Sequence, residues 1–327
     1  PVVVDIPKDI QNWQGAYKGT GTLPLHGYRR RLAKVEENLL GDDACERFYT
    51  MLSESDRPLI YAGGGVINAN AAKAMRRFAN EYGIPVTTTL MALGASNTQH
   101  PLALHMLGMH GVASANYAVE DCDFLITMGA RFDDRVAGNP GQFAPRAKNI
   151  AHFDVDFAEI GKVKRVNWHH VGLLERDLTY LLAYGKRINF SKKFKQWHEE
   201  IAHLKKEHCL NYDRDSEEIQ PYAVIEEINK HTKGEAIIST GVGQHQMWAA
   251  QYFDFSEPRL WLKSGSMGTM VFGLPAAIVD NFAHHYRIVI DIDVDGCIRM
   301  NICDLETATT YKTPIKVIVL NNYGDGM

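Results

Sequence analysis

Short apolar runs alternate with amphipathic stretches along most of the chain. Residues 59–62, 86–89, 124–128 and 151–155 read as strands, and residues 70–82 and 113–120 as helices. A second series places strands at 236–239, 287–292 and 315–320, with a helix opened by Pro221 and running to about His231. Proline suits a first helical turn because that position has no intrahelical N–H bond to lose. Alternating strands and helices predict an α/β fold, with parallel sheets covered by helices in three layers. Between the two series, residues 186–220 are polar and lysine-rich, with one helix near 192–208, and read as a connector. Residues 11–44 show no clear period and read as linker, while the β-branched run 1–5 before Pro7 reads as the last strand of a preceding domain.

A length of 327 residues favours two domains or more. A net charge of −4 gives no electrostatic footprint for nucleic acid, and 45% apolar content is enough for sizeable cores. No apolar run approaches the roughly 18 residues of a membrane helix. The five cysteines are scattered, with no Cys-x-x-Cys pair, which argues against a disulfide or zinc framework. The chain opens at Pro1 inside a strand-like run and stops at Met327 just after another, so both ends read as cut.

Candidate chemistry gathers after strands. Asp295 follows one strand and Asn322 the next; if the two are parallel neighbours, both emerge at one sheet edge, where α/β proteins bind ligands. A carboxylate and an amide oxygen suit Mg²⁺, which also takes phosphate oxygens. A helix beginning near Asn301 would aim backbone N–H groups at that phosphate. The bland alternative is that Asp293, Asp295 and the Asn pair are turn residues. Gly241-Val242-Gly243-Gln244-His245-Gln246 follows a strand, and Ser264 to Met270 leads into a helix of small residues. Leu107 to Gly111 and Gly129 to Val136 place glycines and charge at the edge of the first series, where the alternative is a solvated salt-bridge cluster. Gly63-x-Gly65-x-x-Asn68 is an imperfect dinucleotide fingerprint. His198 and His203 are five apart, which excludes the i, i+4 geometry of a zinc protease.

Taken together, these segments resemble the catalytic subunits of the acetohydroxyacid (acetolactate) synthases, within the thiamine-diphosphate enzymes. The resemblance runs along nearly the whole chain. It is carried by Val4 to Asp9, Thr89-Leu90-Met91, Leu107 to Gly111, Arg131 to Val136, Asp154 with Ala158 to Lys162, and most specifically by Ser239 to Gln251. It implies that residues 1–20 end a pyrimidine-binding domain, 21–44 and 186–220 are linkers, 45–185 form a central FAD-binding domain, and 221–327 begin a pyrophosphate-binding domain.

Position by position, the resemblance makes Asp295, Asn322 and the main chain of Gly324 the Mg²⁺ ligands. It sets Gln244, His245, Gly268, Gly296 and Cys297 around the diphosphate, with Met270 propping the cofactor. FAD-contacting positions would be Arg31, Gly63, Gly64, Thr89, Leu90, Met91, His110, Gly111, Gly129, Arg131, Asp133, Arg135, Val136, Asp154 and Val155. Asp134 and Arg135 would stand at the mouth of a substrate channel. The implied reaction decarboxylates pyruvate and joins the remaining two-carbon unit to pyruvate or 2-oxobutyrate, the first common step of branched-chain amino acid biosynthesis. The implied assembly is a homodimer or homotetramer, with room for a regulatory small subunit. The compartment would be cytoplasm in a bacterium, plastid or mitochondrion in a eukaryote. The activating glutamate would lie outside these residues, so the piece by itself is expected to be inactive.

Four departures stand out. Val294 occupies a glycine position of the family pattern and is expected to strain the metal loop. Cys297 replaces a hydroxyl. Ser266, Met267 and Val271 alter a glycine-rich stretch, and Leu173 stands where an aspartate follows Gly172. These allow an alternative reading as a catalytically impaired homologue. Within the enzyme class the rivals are pyruvate oxidase and glyoxylate carboligase, against which residues 244–251 argue.

Overall fold

A computed structural model describes residues 5–16, 18–19 and 26–324. The expected first strand falls almost wholly on residues outside that set. Residues 1–37 and 38–327 form two compact units. The first contains the helices Lys8–Gln11 and His26–Glu37. The second of these lies within residues 21–44, which read as linker from the sequence. Its Arg, Leu, Ala, Lys and Glu are strong helix formers, but so few are apolar that they leave no period to detect.

The second unit carries two wholly parallel sheets. The first has strands β1 (Pro58–Ala62), β2 (Val86–Thr88), β3 (Ala103–Met106), β4 (Phe124–Met128), β5 (Asn149–Asp154) and β6 (Trp168–Val171). Their order is β3-β2-β1-β4-β5-β6. The chain winds outward from β1 on one side and then from β4 on the other, so the topological switch lies between β1 and β4. The second sheet has β7 (Ile237–Thr240), β8 (Trp261–Leu262), β9 (Val289–Val294) and β10 (Lys316–Leu320), in the order β10-β9-β7-β8. Its switch lies between β7 and β9.

β1 and β4 are buried at all five positions because helices cover both faces. Phe48 anchors the larger core, with ring centroids 5.4–6.0 Å from Phe78, Phe124, Phe153 and Trp168. Strands β3, β6 and β8 escape the sequence pattern. They span two to four residues and include His105, His169 and His170, which blur any alternation. The helix expected to begin near Asn301 instead begins at Asp295 and ends at Asn301, and a separate helix, Asp304–Thr310, follows. Among the described residues no helix is long and apolar enough to cross a membrane.

Leu173 is the N-cap of the helix Leu174–Arg187, in extended backbone and with no side-chain cap. A capping carboxylate accepts an otherwise orphaned backbone N–H. Leu173→Asp is therefore expected to stabilise the protein by about 0.5–2 kcal/mol, read as a higher urea midpoint. An unchanged midpoint would mean that water already satisfies that helix end.

Candidate functional site

At the carboxyl edge of the second sheet, β9 and β10 pair in parallel, with Leu320 opposite Val294. Asp295 follows β9 directly and Asn322 lies two residues past β10. The two candidate positions thus leave the same edge of neighbouring strands. Val242, Gly243, Gln244, Trp248, Met270, Val294, Asn322 and Gly324 contribute to the walls of a cleft of about 590 Å³ there. Asp295 is not a wall residue. It is only 7% exposed, its Oδ1 has no hydrogen-bond partner, and Oδ2 lies 3.6 Å from Arg299. Asn322 Oδ1 accepts from the Gly324 N–H at 3.2 Å, which folds the loop back on itself. Gly268, at φ +67°, turns the loop before Met270 in a conformation that disfavours any side chain.

Val294 corrects an expectation. Its φ of −117° and ψ of 166° are ordinary extended backbone, so a β-branched residue sits there without strain. Val294→Gly should therefore bring no gain in cofactor affinity and should cost about 0.5–1 kcal/mol of stability through backbone entropy. Calorimetric titration together with a melting curve tests both statements.

Asp291 and Asp293 alternate on one face of β9, and Asp295 opens the helix that follows. Asp291 is fully buried, and neither carboxylate oxygen has a hydrogen-bond partner. Burial, and secondarily the charge of Asp293, pushes its carboxyl up to about 8. Asp293 Oδ1 accepts from the Gly241 N–H at 3.2 Å and lies 3.4 Å from His245 Nε2. His245 and Cys297 are fully buried, and Cys297 Sγ donates to the Val242 carbonyl at 3.4 Å. A Cβ on Gly241 would fall 2.4 Å from Asp293 Oδ1, so only glycine lets that loop approach β9. From the sequence, Asp293 entered only in the bland alternative, as a turn residue, and Asp291 had no assigned role. The available signal was two acids alternating inside an apolar strand.

Except for Arg31, the other candidate residues lie in the unit that carries the first sheet, most of them just past its strand ends. At its switch point the Gly65 N–H donates to the Gly129 carbonyl at 3.0 Å. A Cβ on Gly63 would lie 2.2 Å from that oxygen. These glycines bring two backbones together, so the loose fingerprint marks packing. Thr89, Leu90 and Met91 follow β2, His110 and Gly111 follow β3, and Val155 follows β5 with 56% of its surface exposed. Arg131 pairs with Asp133 at 2.8 Å, and Asp133 caps the short helix Asp134–Ala137 by accepting from the Arg135 N–H. Asp133 and Asp134 share a recess of about 220 Å³ with Arg131, Glu159 and Lys162. The Met109 N–H donates to the Arg135 carbonyl, next to Val136. Asp154 Oδ1 accepts from the N–H groups of Val155 and Asp156. Arg31 belongs to the first compact unit and is exposed.

Contacts between the surroundings of the two sheets include two near the candidate residues. Gln251 donates to the His110 carbonyl at 2.7 Å, and Lys263 Nζ lies 3.5 Å from the Met91 carbonyl. Burial pulls the Lys263 amine down to about 8. In the sequence this lysine is a lone charge between a strand end and a glycine-rich loop, and nothing there marks it as buried. His198 and His203 make separate contacts: His198 Nε2 meets the Gly83 carbonyl at 2.6 Å, and His203 pairs with Glu207.

Two family models and several known proteins match this chain. The central domain of thiamine pyrophosphate enzymes matches residues 45–181, and their C-terminal, thiamine pyrophosphate-binding domain matches residues 241–327. The chain is 46% identical over 330 aligned residues to acetolactate synthase 1, chloroplastic, of Zea mays, covering all of this chain and 50% of that protein. It is 43% identical to acetolactate synthase, chloroplastic, of Arabidopsis thaliana, over all of this chain and 48% of that protein. The chain thus spans about half the length of the curated relatives it matches.

Proposed function

Because the chain belongs to the thiamine pyrophosphate enzymes, we propose that its second sheet holds thiamine diphosphate with Mg²⁺ and that the whole protein is an acetolactate synthase. The observation that carries this reading is the pairing of β9 with β10. It puts a nearly buried carboxylate with an unpartnered oxygen, Asp295, on the same sheet edge as the amide of Asn322. The donor set suits the ion: one carboxylate, one amide oxygen and the Gly324 carbonyl are hard ligands that leave positions for diphosphate oxygens.

Thiamine diphosphate, when bound, would supply the electron sink for decarboxylating a 2-keto acid. The chain's own residues hold and orient. Asp295, Asn322 and Gly324 would fix the ion, Gln244 and His245 would face the diphosphate at the start of the helix Gln244–Tyr252, and Met270 would support the cofactor from the cleft wall. Gly268, Gly296 and Cys297 would complete its surroundings. FAD would lie along the first sheet's edge, where Arg131 supplies a phosphate partner and Lys263 adds a second cation at the rim. Asp134 and Arg135 would flank the substrate's path. The domains would divide near residues 45, 185 and 221. The homo-oligomeric state, the regulatory small subunit and a plastid location, as in the chloroplastic relatives, belong to the same proposal.

The stretch 244–251, on the helix beside the cleft, favours this reading over pyruvate oxidase or glyoxylate carboligase. The full-length protein incubated with pyruvate, thiamine diphosphate, Mg²⁺ and FAD should release acetolactate, while residues 1–327 alone should release none. A full-length protein that binds thiamine diphosphate but makes no acetolactate would instead support the impaired homologue.

A further inference from the structure

We propose that Lys263 is a positioning residue for a flavin ring, placing its ammonium beside N1 and the C2 oxygen and stabilising negative charge there. This role rests on the reading that FAD lies along the first sheet's edge. It adds which end of the molecule lies where, and which residue tunes the ring.

Lys263 directly follows β8, at the carboxyl edge of the second sheet. Its Nζ nevertheless lies 3.5 Å from the carbonyl of Met91, in the turn Leu90–Ala92 that follows β2 of the first sheet. The side chain therefore stands where the two sheet edges meet. It is half-buried, burial alone lowers its amine, and no carboxylate among the described residues pairs with it. A cation withdrawn from water without a counter-charge is costly, so the place suits a ligand group that carries or develops negative charge. The loop cannot easily draw back. Thr269 N–H donates to Ser264 Oγ at 2.9 Å, and a Cβ on Gly265 would fall 1.9 Å from Met91 Sδ. Only glycine lets the loop lie so close against Met91.

The order of groups along the edge points to the part of FAD that reaches Lys263. Asp154 ends β5, Arg131 follows β4, and Met91 follows β2. In the order β2-β1-β4-β5 these positions cover three strand spacings, roughly 14 Å, which an extended dinucleotide spans. A carboxylate at a strand end suits ribose hydroxyls, and a guanidinium near the topological switch suits phosphates. Adenosine then falls at β5 and the pyrophosphate near β4, which leaves the isoalloxazine ring at β2. There Met91, 41% exposed, offers it an apolar face and Lys263 offers the charge.

A flavin reduced by two electrons takes one proton at N5, and its remaining negative charge spreads over N1 and the C2 oxygen. A fixed cation at that position favours the reduced form. Joining two pyruvates with loss of carbon dioxide is redox-neutral overall, so acetolactate formation does not report this effect and the flavin itself must be read.

The test reconstitutes the full-length protein with FAD and measures the midpoint potential of the bound flavin at pH 7, with electrons supplied by an electrode through mediator dyes. Lys263→Gln removes the charge and keeps a donor for the Met91 carbonyl. It is expected to weaken binding of reduced relative to oxidised flavin by about tenfold, a fall of about 30 mV for the two-electron couple. Lys263→Arg should restore most of it. Sulfite, which bonds to N5 and leaves the same negative charge on the ring, should bind Lys263→Gln about tenfold more weakly than the wild type. Should Lys263→Gln misfold by circular dichroism, Lys263→Met is read in its place. A folded, uncharged variant that holds FAD with unchanged potential and sulfite affinity would overturn the role of Lys263 and leave the FAD reading standing. Weaker FAD binding at an unchanged potential would overturn it too, by putting the amine on the phosphates. A full-length wild type that takes up no FAD would remove both.

Discussion

Asp295→Ala is expected to weaken Mg²⁺-dependent binding of thiamine diphosphate by on the order of a hundredfold or more, since loss of residues that merely orient a metal's ligands already costs 10- to 100-fold. Asp295 is the only carboxylate among the proposed ligands, so without it two neutral oxygens remain to hold a divalent cation. The same substitution should not destabilise the unliganded protein. Asp295 is nearly buried, its Oδ1 has no partner, and its one ion pair, with Arg299, is 3.6 Å long beside a largely exposed guanidinium. Such a pair contributes little. Loss of binding with an unchanged melting curve would therefore report the site alone. Calorimetry showing wild-type affinity for Mg²⁺ and thiamine diphosphate would remove Asp295 from the metal site.

Asp291→Asn should raise stability at neutral pH by about 2–4 kcal/mol, an unusual direction for a change in a core strand. The carboxyl of Asp291 is pushed from 3.8 to about 8 by burial and by Asp293. The folded protein therefore holds a proton that the unfolded chain releases near its ordinary carboxylate value. Stability falls as pH rises from about 4, and the loss is complete once pH passes 8, where the folded state also ionises. Asparagine has the same shape and no proton to release, so its advantage should be small near pH 4 and should grow up to about pH 8. Urea midpoints of the two proteins across that range test this. Curves that run parallel would show that Asp291 is ionised in the folded state, and that a partner satisfies it.

Much of the architecture was legible from the apolar runs, because β1, β4 and β7 are buried on both faces and contain almost nothing but apolar residues and threonine or serine. What escaped was short or ambiguous. β8 has two residues, β6 is half histidine, and the helix His26–Glu37 has too few apolar positions to show a period. The edge positions of Asp295 and Asn322 followed from strand ends alone, since parallel neighbours must release their loops on one side. Conformation was not legible in the same way. Replacing a family glycine with Val294 suggested strain, but the backbone there is extended, so the fold does not need a glycine at that point. Asp291 and Asp293 went unread as a pair because a strand pattern says which face a residue shares. It does not say whether a buried acid on that face has a partner.

The most direct test of the central claim is a crystal structure of the full-length protein soaked with thiamine diphosphate and Mn²⁺, with the ion located by its anomalous scattering. The account predicts one strong peak at the carboxyl edge of β9 and β10, coordinated by the Asp295 carboxylate, the Asn322 amide oxygen and the Gly324 carbonyl, with diphosphate oxygens completing the shell. A manganese peak elsewhere, or a diphosphate bound without contact to those three residues, would contradict it.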